Sequence, residues 1–209
     1  MTSHARITIL IVDDHPVVRQ GYRLLLEQGG MAVVAEAGDA REAYSAAVEH
    51  KPRVIVMDIS LPDNSGLDAL GRIVAREPDS RVLVFSIHEN PVLMNRAREL
   101  GAKGYLTKRS LPQQMVEAVR LIADGGEYYD CGPAVSQASE GNPLQRLSNR
   151  EFEIFLLLAK GLSVNQIAEI LHISRKTVGV HHTRIMNKIG VDSPALLARL
   201  AIRHGLIQP

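Results

Sequence analysis

Residues 9–16, ILIVDDHP, are four apolar residues that run directly into two adjacent acids and a proline. An unbroken apolar, β-branched run has no polar face to offer water, so it reads as a strand buried on both sides. The same pattern returns at 54–58, VIVMD, and at 82–86, VLVFS. Strand patterns cover 7–12, 32–35, 54–57, 82–86 and 104–107. Helical periodicity fills 17–28, 40–49, 67–76, 91–100 and 111–123. Apolar strands alternating with amphipathic helices predict a doubly wound five-stranded parallel sheet of the flavodoxin-like kind.

Residues 125–143, GGEYYDCGPAVSQASEGNP, break the rhythm and read as a linker. The expected division is 1–127, a linker over 128–145, and 146–209. The last part is all-helical in pattern. Ser148 with Glu151 and Ser163 with Gln166 are capping-box pairs. Ser174 and Ser193–Pro194 are further helix starts, and Gly161, Gly190 and Gly205 are stops. These signals predict a small four-helix domain.

Charge separates the two parts. Residues 1–130 hold 15 Lys/Arg against 18 Asp/Glu, and residues 147–209 hold 8 against 4. The overall charge of +1 therefore conceals an acidic half and a basic half, and only the basic half suits a polyanion. No apolar run approaches the ~20 residues of a membrane helix, and no signal peptide is evident. Cys131 is the only cysteine, so no intrachain disulfide can form, which fits a reducing cytoplasm.

In an open α/β sheet, sites form where the carboxyl ends of the strands meet the switch in strand order. Asp13 and Asp14 end the first strand, and Asp58 ends the third. In a 2-1-3-4-5 sheet these carboxylates converge, and their mutual repulsion calls for a divalent cation. Oxygen ligands favour Mg²⁺. Ser86 ends the fourth strand and Lys108 follows the fifth. A hydroxyl and an ammonium facing a carboxylate–metal centre suit a phosphoryl group, so the residues predict phosphorylation of one Asp.

Two other readings of these acids fit less well. A small-molecule phosphohydrolase with an aspartate nucleophile places its two acids at alternate positions after the first strand, and here they are adjacent. A flavin carrier needs hydroxyls and amides at that loop, where Asp13–Asp14 would repel a phosphate.

The segments ILIVDDHP, VIVMDISLPDNSGL, VLVFSIH and GAKGYLTK resemble the receiver domain of two-component response regulators over residues 6–124. The resemblance implies that Asp58 is the phosphoacceptor. It also implies that Asp13, Asp14, Asp58 and the Ser60 backbone carbonyl hold Mg²⁺, and that Ser86, Tyr105 and Lys108 contact the phosphoryl group or switch with it. Arg109 stands where many receivers have proline.

The segment at 163–190, SVNQIAEILHISRKTVGVHHTRIMNKIG, reads as two helices joined by a short turn. On a helical wheel Val178, His182, Ile185 and Ile189 form the inward face of the second helix. Lys176, Val180, Thr183 and Asn187 form the outward face, with Gly179 and Arg184 at its edges. An outward Val180 among polar residues suits a thymine methyl in a major groove or a solvated face with one stray valine. His181 and His182 are adjacent, so they cannot share a metal; His182 is expected in the core and His181 on the flank.

Residues 147–207 are similar to the LuxR-type helix-turn-helix of the NarL/FixJ family. That likeness implies double-stranded DNA as a partner, with Lys176, Thr177, Gly179, Val180, Thr183, Arg184 and Lys188 at the contact. Gly179 stands where many members carry lysine. It further implies a sensor histidine kinase as phosphate donor and a homodimer on DNA. Leu196, Leu197, Leu200 and Ala201 suit either a dimer contact or the domain's own core. The whole reads as a cytoplasmic transcription factor, not an enzyme, that loses its phosphate by slow autodephosphorylation.

Overall fold

The computed structural model describes residues 6–61, 66–87, 89–130 and 142–207. Residues 62–65 of the third motif, His88 of the fourth strand's motif, and 131–141 of the expected linker lie outside them. The chain divides into two compact units.

The first unit is a parallel sheet of β1 (Thr8–Val12), β2 (Ala32–Ala37), β3 (Val54–Met57), β4 (Arg81–Ser86), β5 (Gly104–Thr107) and β6 (Tyr128–Tyr129), ordered β2-β1-β3-β4-β5-β6. Its helices are α1 (Pro16–Gln28), α2 (Ala40–His50), α3 (Gly66–Arg76), α4 (Pro91–Glu99) and α5 (Pro112–Ala123). Alternate residues of each strand face opposite sides. Ile9, Ile11, Val54, Val56, Leu83, Phe85 and Leu106 build one core with Leu26 of α1 and Met115, Val119 and Ile122 of α5. Their neighbours Leu10, Val12, Ile55, Met57 and Val84 are as deeply buried, on the side that α2 and α3 cover. Burial on both faces is the reason the runs 9–12, 54–57 and 82–85 carry no polar residue.

Six strands form where five were expected. Tyr128 and Tyr129, assigned to the linker, pair in parallel with Gly104 and Tyr105 of β5. A two-residue strand is too short to show an alternating pattern. Its signal lies instead in Gly104, where a Cβ would stand 2.5 Å from the Tyr128 carbonyl and 2.7 Å from the Ile122 side chain. Only glycine lets β6 and α5 approach β5 so closely.

Among the described residues the second unit holds a 3-10 turn (Pro143–Arg146) and α6 (Asn149–Ala159), α7 (Val164–Ile170), α8 (Arg175–Ile189) and α9 (Pro194–Arg203). Every expected start is capped. The hydroxyls of Ser148, Ser163, Ser174 and Ser193 accept the amides of Glu151, Gln166, Thr177 and Leu196. Gly161, Gly190 and Gly205 have the left-handed backbone expected of helix stops. Phe152, Phe155, Ile167, Val178, Ile185 and Leu197 are fully buried. Among the described residues, no helix is long and apolar enough to cross a membrane.

Candidate functional site

Two backbone bonds at the ends of the strands assemble the acidic pocket. The Asp58 amide donates to the Val12 carbonyl (2.8 Å), which sets Asp58 beside Asp13. The Lys108 amide donates to the Ser86 carbonyl (2.8 Å), which sets those two side by side. β1 and β3 are the strands at which the order of the sheet reverses, so the pocket lies at the switch point.

Asp13 and Asp58 are each 2% exposed. Two carboxylates at that depth need compensation, and Lys108 supplies it: its ammonium is 2.5 Å from Asp13 Oδ2 and 2.7 Å from Asp58 Oδ2. Burial works against the charged ammonium, but the bonds and charges of the two carboxylates outweigh it. The Lys108 pKa is held above the usual lysine value. The ammonium also lies over the Phe85 ring, 5.8 Å from its centre.

The other oxygen of Asp58 accepts the Ser60 amide at 2.7 Å. The Ser60 hydroxyl is 3.4 Å from that of Ser86, which is fully buried. Gly66 makes room for this turn: a Cβ there would lie 2.5 Å from the Ile59 backbone. Asp13, Asp58, Ser60, Ser86 and Lys108 therefore come together. Tyr105 is completely buried on β5, paired with Val84 and Tyr129.

Asp14 is less buried and meets His15, which the sequence reading passed over. His15 donates its amide to Asp13 Oδ1 (2.8 Å), and its Nδ1 is 3.1 Å from that oxygen. The same Nδ1 lies 2.7 Å from Asp14 Oδ1 but outside hydrogen-bond geometry, and that enclosed oxygen has no hydrogen-bond donor among the described residues. Arg19, one turn into α1, donates to the Asp13 carbonyl at 2.6 Å and to Glu36 at 3.1 Å. A histidine directly after an acid pair, followed one turn later by an arginine, was the available signal.

In the second unit Lys176, Thr177, Val180, Thr183 and Arg184 are exposed along α8, and Gly179 is half-buried. Val180 keeps 44% of its surface in solvent, whereas Val178, Ile185 and Ile189 face the core, as the wheel required. Two of the hydroxyls have local partners. Thr177 Oγ1 is 2.8 Å from Ser174 Oγ, and Thr183 donates to the Gly179 carbonyl at 3.1 Å. Lys188 differs from the other candidates: its ammonium is bound to Glu151 Oε2 at 2.6 Å.

Of the residues that suited either a dimer contact or the core, Leu197 (1% exposed) and Ala201 belong to the core, while Leu196 is 40% exposed and Leu200 half-buried. The spacing of an amphipathic helix does not separate the centre of its apolar stripe from its margin. His181 and His182 are both half-buried, and the enclosed ring nitrogen is Nδ1 of His181, so depth does not distinguish them as expected.

Comparison with known proteins agrees with both units. Residues 9–120 match the model of the response regulator receiver domain, and residues 145–201 that of the bacterial regulatory proteins of the luxR family. The oxygen regulatory protein NreC of Staphylococcus carnosus is 37% identical over 213 residues, covering 95% of this chain and 98% of its own. The transcriptional activator protein ExaE of Pseudomonas putida is 40% identical over 209 residues, covering 96% and 98%. Among solved structures, a LuxR-family two-component response regulator from Aurantimonas is 41% identical. It covers 64% of this chain and 94% of its own, with a TM-score of 0.59. RcsB of Salmonella typhimurium, 27% identical, covers 93% and 96% with a TM-score of 0.72. RcsB has also been solved bound to promoter DNA with the phosphomimetic BeF3-. The chain belongs to the two-component response regulators that join a receiver domain to a LuxR-type helix-turn-helix, and it is a transcription regulator of that family.

Proposed function

We propose that phosphorylation of Asp58, from a phosphohistidine on a partner sensor kinase, controls dimerisation and sequence-specific DNA binding by this protein in the cytoplasm. The observation that carries the reading is the Lys108 ammonium held between Asp13 and Asp58 beside the buried Ser86. An Asp58 oxygen attacks phosphorus, a P–O bond forms, and the P–N bond to the kinase's imidazole breaks. The phosphoryl group brings new negative charge, and Lys108 is in place to neutralise it while Ser86 donates a hydrogen bond. Asp58 releases the phosphate slowly to water, so the protein turns over no substrate of its own beyond this step.

The residues fit Mg²⁺. The set of Asp13, Asp14 and Asp58 carboxylates with the Ser60 carbonyl is all oxygen. The enclosed Asp14 Oδ1, without a hydrogen-bond donor, is an acceptor that a cation satisfies. When bound, the ion offsets the charge of the acids and of the incoming phosphoryl oxygens.

On the other unit, Lys176, Thr177, Gly179, Val180, Thr183 and Arg184 form the face of α8 that meets the major groove. Leu196 and Leu200 lie at the margin of α9 and contribute to pairing on DNA. The phosphate on Asp58 favours a second state of the Ser86 and Tyr105 region, and that state favours pairing and DNA binding by the second unit.

Intact-mass spectrometry with a small acyl phosphate tests the first step. Wild type is expected to gain one phosphoryl group in Mg²⁺ and none in chelator, and Asp58→Asn none in either. Equal labelling of the two proteins, or labelling without metal, overturns the assignment.

A further inference from the structure

Lys188 is exposed and has the charge of a phosphate contact, but it lies off the centre of the candidate face and its ammonium is already paired. At about 100° per residue it lies about 110° from the centre of the Lys176, Val180, Thr183 and Asn187 face. It lies only about 80° from the centre of the buried Val178, Ile185 and Ile189 face. Its ammonium ends on Glu151 Oε2 at 2.6 Å. That oxygen also accepts the Ser148 amide at 2.7 Å, closing the capping box that starts α6.

Glu151 is 3% exposed. Its burial raises the carboxyl pKa, but Lys188 and Ser148 together outweigh that and hold it below the ordinary glutamate value. Moving Lys188 to a DNA phosphate would leave this carboxylate buried without its counter-ion. The apolar contacts of Val178, Ile185 and Ile189 hold α8 in place but have no preferred direction. A charge-assisted bond at its last turn has one.

We propose that Glu151 and Lys188 are positioning residues for DNA recognition: the pair fixes the roll of α8 against the start of α6 and touches neither base nor phosphate. The inference rests on α8 being the element that reads DNA. Glu151 thereby joins the determinants of specificity, although it is acidic, buried and on another helix.

Full-length chains are titrated on a duplex selected from a random pool and on a scrambled duplex, at several salt concentrations. Glu151→Gln keeps an acceptor for the capping box and removes the charge pair; Lys188→Met removes the cation; Lys188→Arg keeps it. Glu151→Gln and Lys188→Met are each expected to lower the selected-to-scrambled affinity ratio, by up to about fivefold. The double variant is expected to be no worse than either single one, and Lys188→Arg to keep the ratio. The log–log salt slope stays unchanged throughout. A loss of simple stability, read by thermal unfolding of the same chains, lowers both affinities together and leaves their ratio, so an unchanged ratio overturns the proposal. A slope reduced by about one in Lys188→Met, with Glu151→Gln unaffected, makes Lys188 a phosphate contact and also overturns it. Wild-type chain that does not discriminate between the duplexes contradicts the DNA-reading assignment itself, and the inference falls with it.

Discussion

The two units put their chemistry in opposite places. In the first, Asp13, Asp58 and Ser86 are almost fully buried at the ends of apolar strands. In the second, Lys176, Val180 and Thr183 stand in solvent on one side of a helix. Burying a polar group is costly unless it is paired, so an acid at the end of an apolar run demands an explanation. An exposed lysine demands none, because most surfaces carry several. The pocket's electrostatics are consequently built into the stability of the fold, whereas the DNA face should be nearly free of it.

That contrast can be broken most forcefully at Lys108. Lys108→Met leaves Asp13 and Asp58 buried side by side without their cation. In chelator the variant is expected to lose about 3 kcal/mol of unfolding free energy by urea titration. Mg²⁺ should restore part of that loss. Unchanged stability in chelator would mean that the pocket is open enough to water to carry two bare carboxylates.

The second unit is sharpened by a pair of substitutions on one helix. Ile185→Ala, on the buried face of α8, should cost about 3 kcal/mol. Val180→Ala, on the exposed face, should change stability by less than about 0.5 kcal/mol and still weaken binding to the selected duplex. Thermal unfolding and duplex titration of both variants decide. A Val180→Ala chain that binds like wild type removes that residue from the DNA face.

What was legible in the sequence follows the same division. The strand motifs and the positions of Asp13, Asp58, Ser86 and Lys108 at the strand ends could be read because buried elements leave a continuous apolar record with polar residues only where a site needs them, whereas Ser60 came only from the likeness to receiver domains. The helix limits of the second unit were legible from Ser148, Ser163, Ser174 and Ser193, whose hydroxyls do the capping. The tie between Lys188 and Glu151 was not, because the partners are 37 residues apart and each is ordinary on its own helix. Nor was His15, whose side chain turns back on the acids instead of capping α1. β6 was hidden by its length, and Leu197 by a stripe in which core and margin look alike.

At Gly179, where a Cβ would meet nothing within 4 Å, the expected effect is a gain instead of a loss. Gly179→Lys should stabilise α8 by up to about 1 kcal/mol. It should also strengthen binding to selected and scrambled duplexes alike, with the log–log salt slope steeper by about one. Weaker binding to the selected duplex alone would mean that DNA approaches the backbone there too closely for a side chain. No change on either duplex would place residue 179 away from DNA.

The central claim is that the acidic pocket governs the basic helix. It is tested most directly by titrating the selected duplex with full-length protein in Mg²⁺, with and without acyl phosphate, while light scattering follows the mass. Wild type is expected to shift toward dimer and bind more tightly when the donor is present, and Asp58→Asn to do neither. Unchanged mass and affinity in labelled wild type, or an equal response from Asp58→Asn, would contradict the claim.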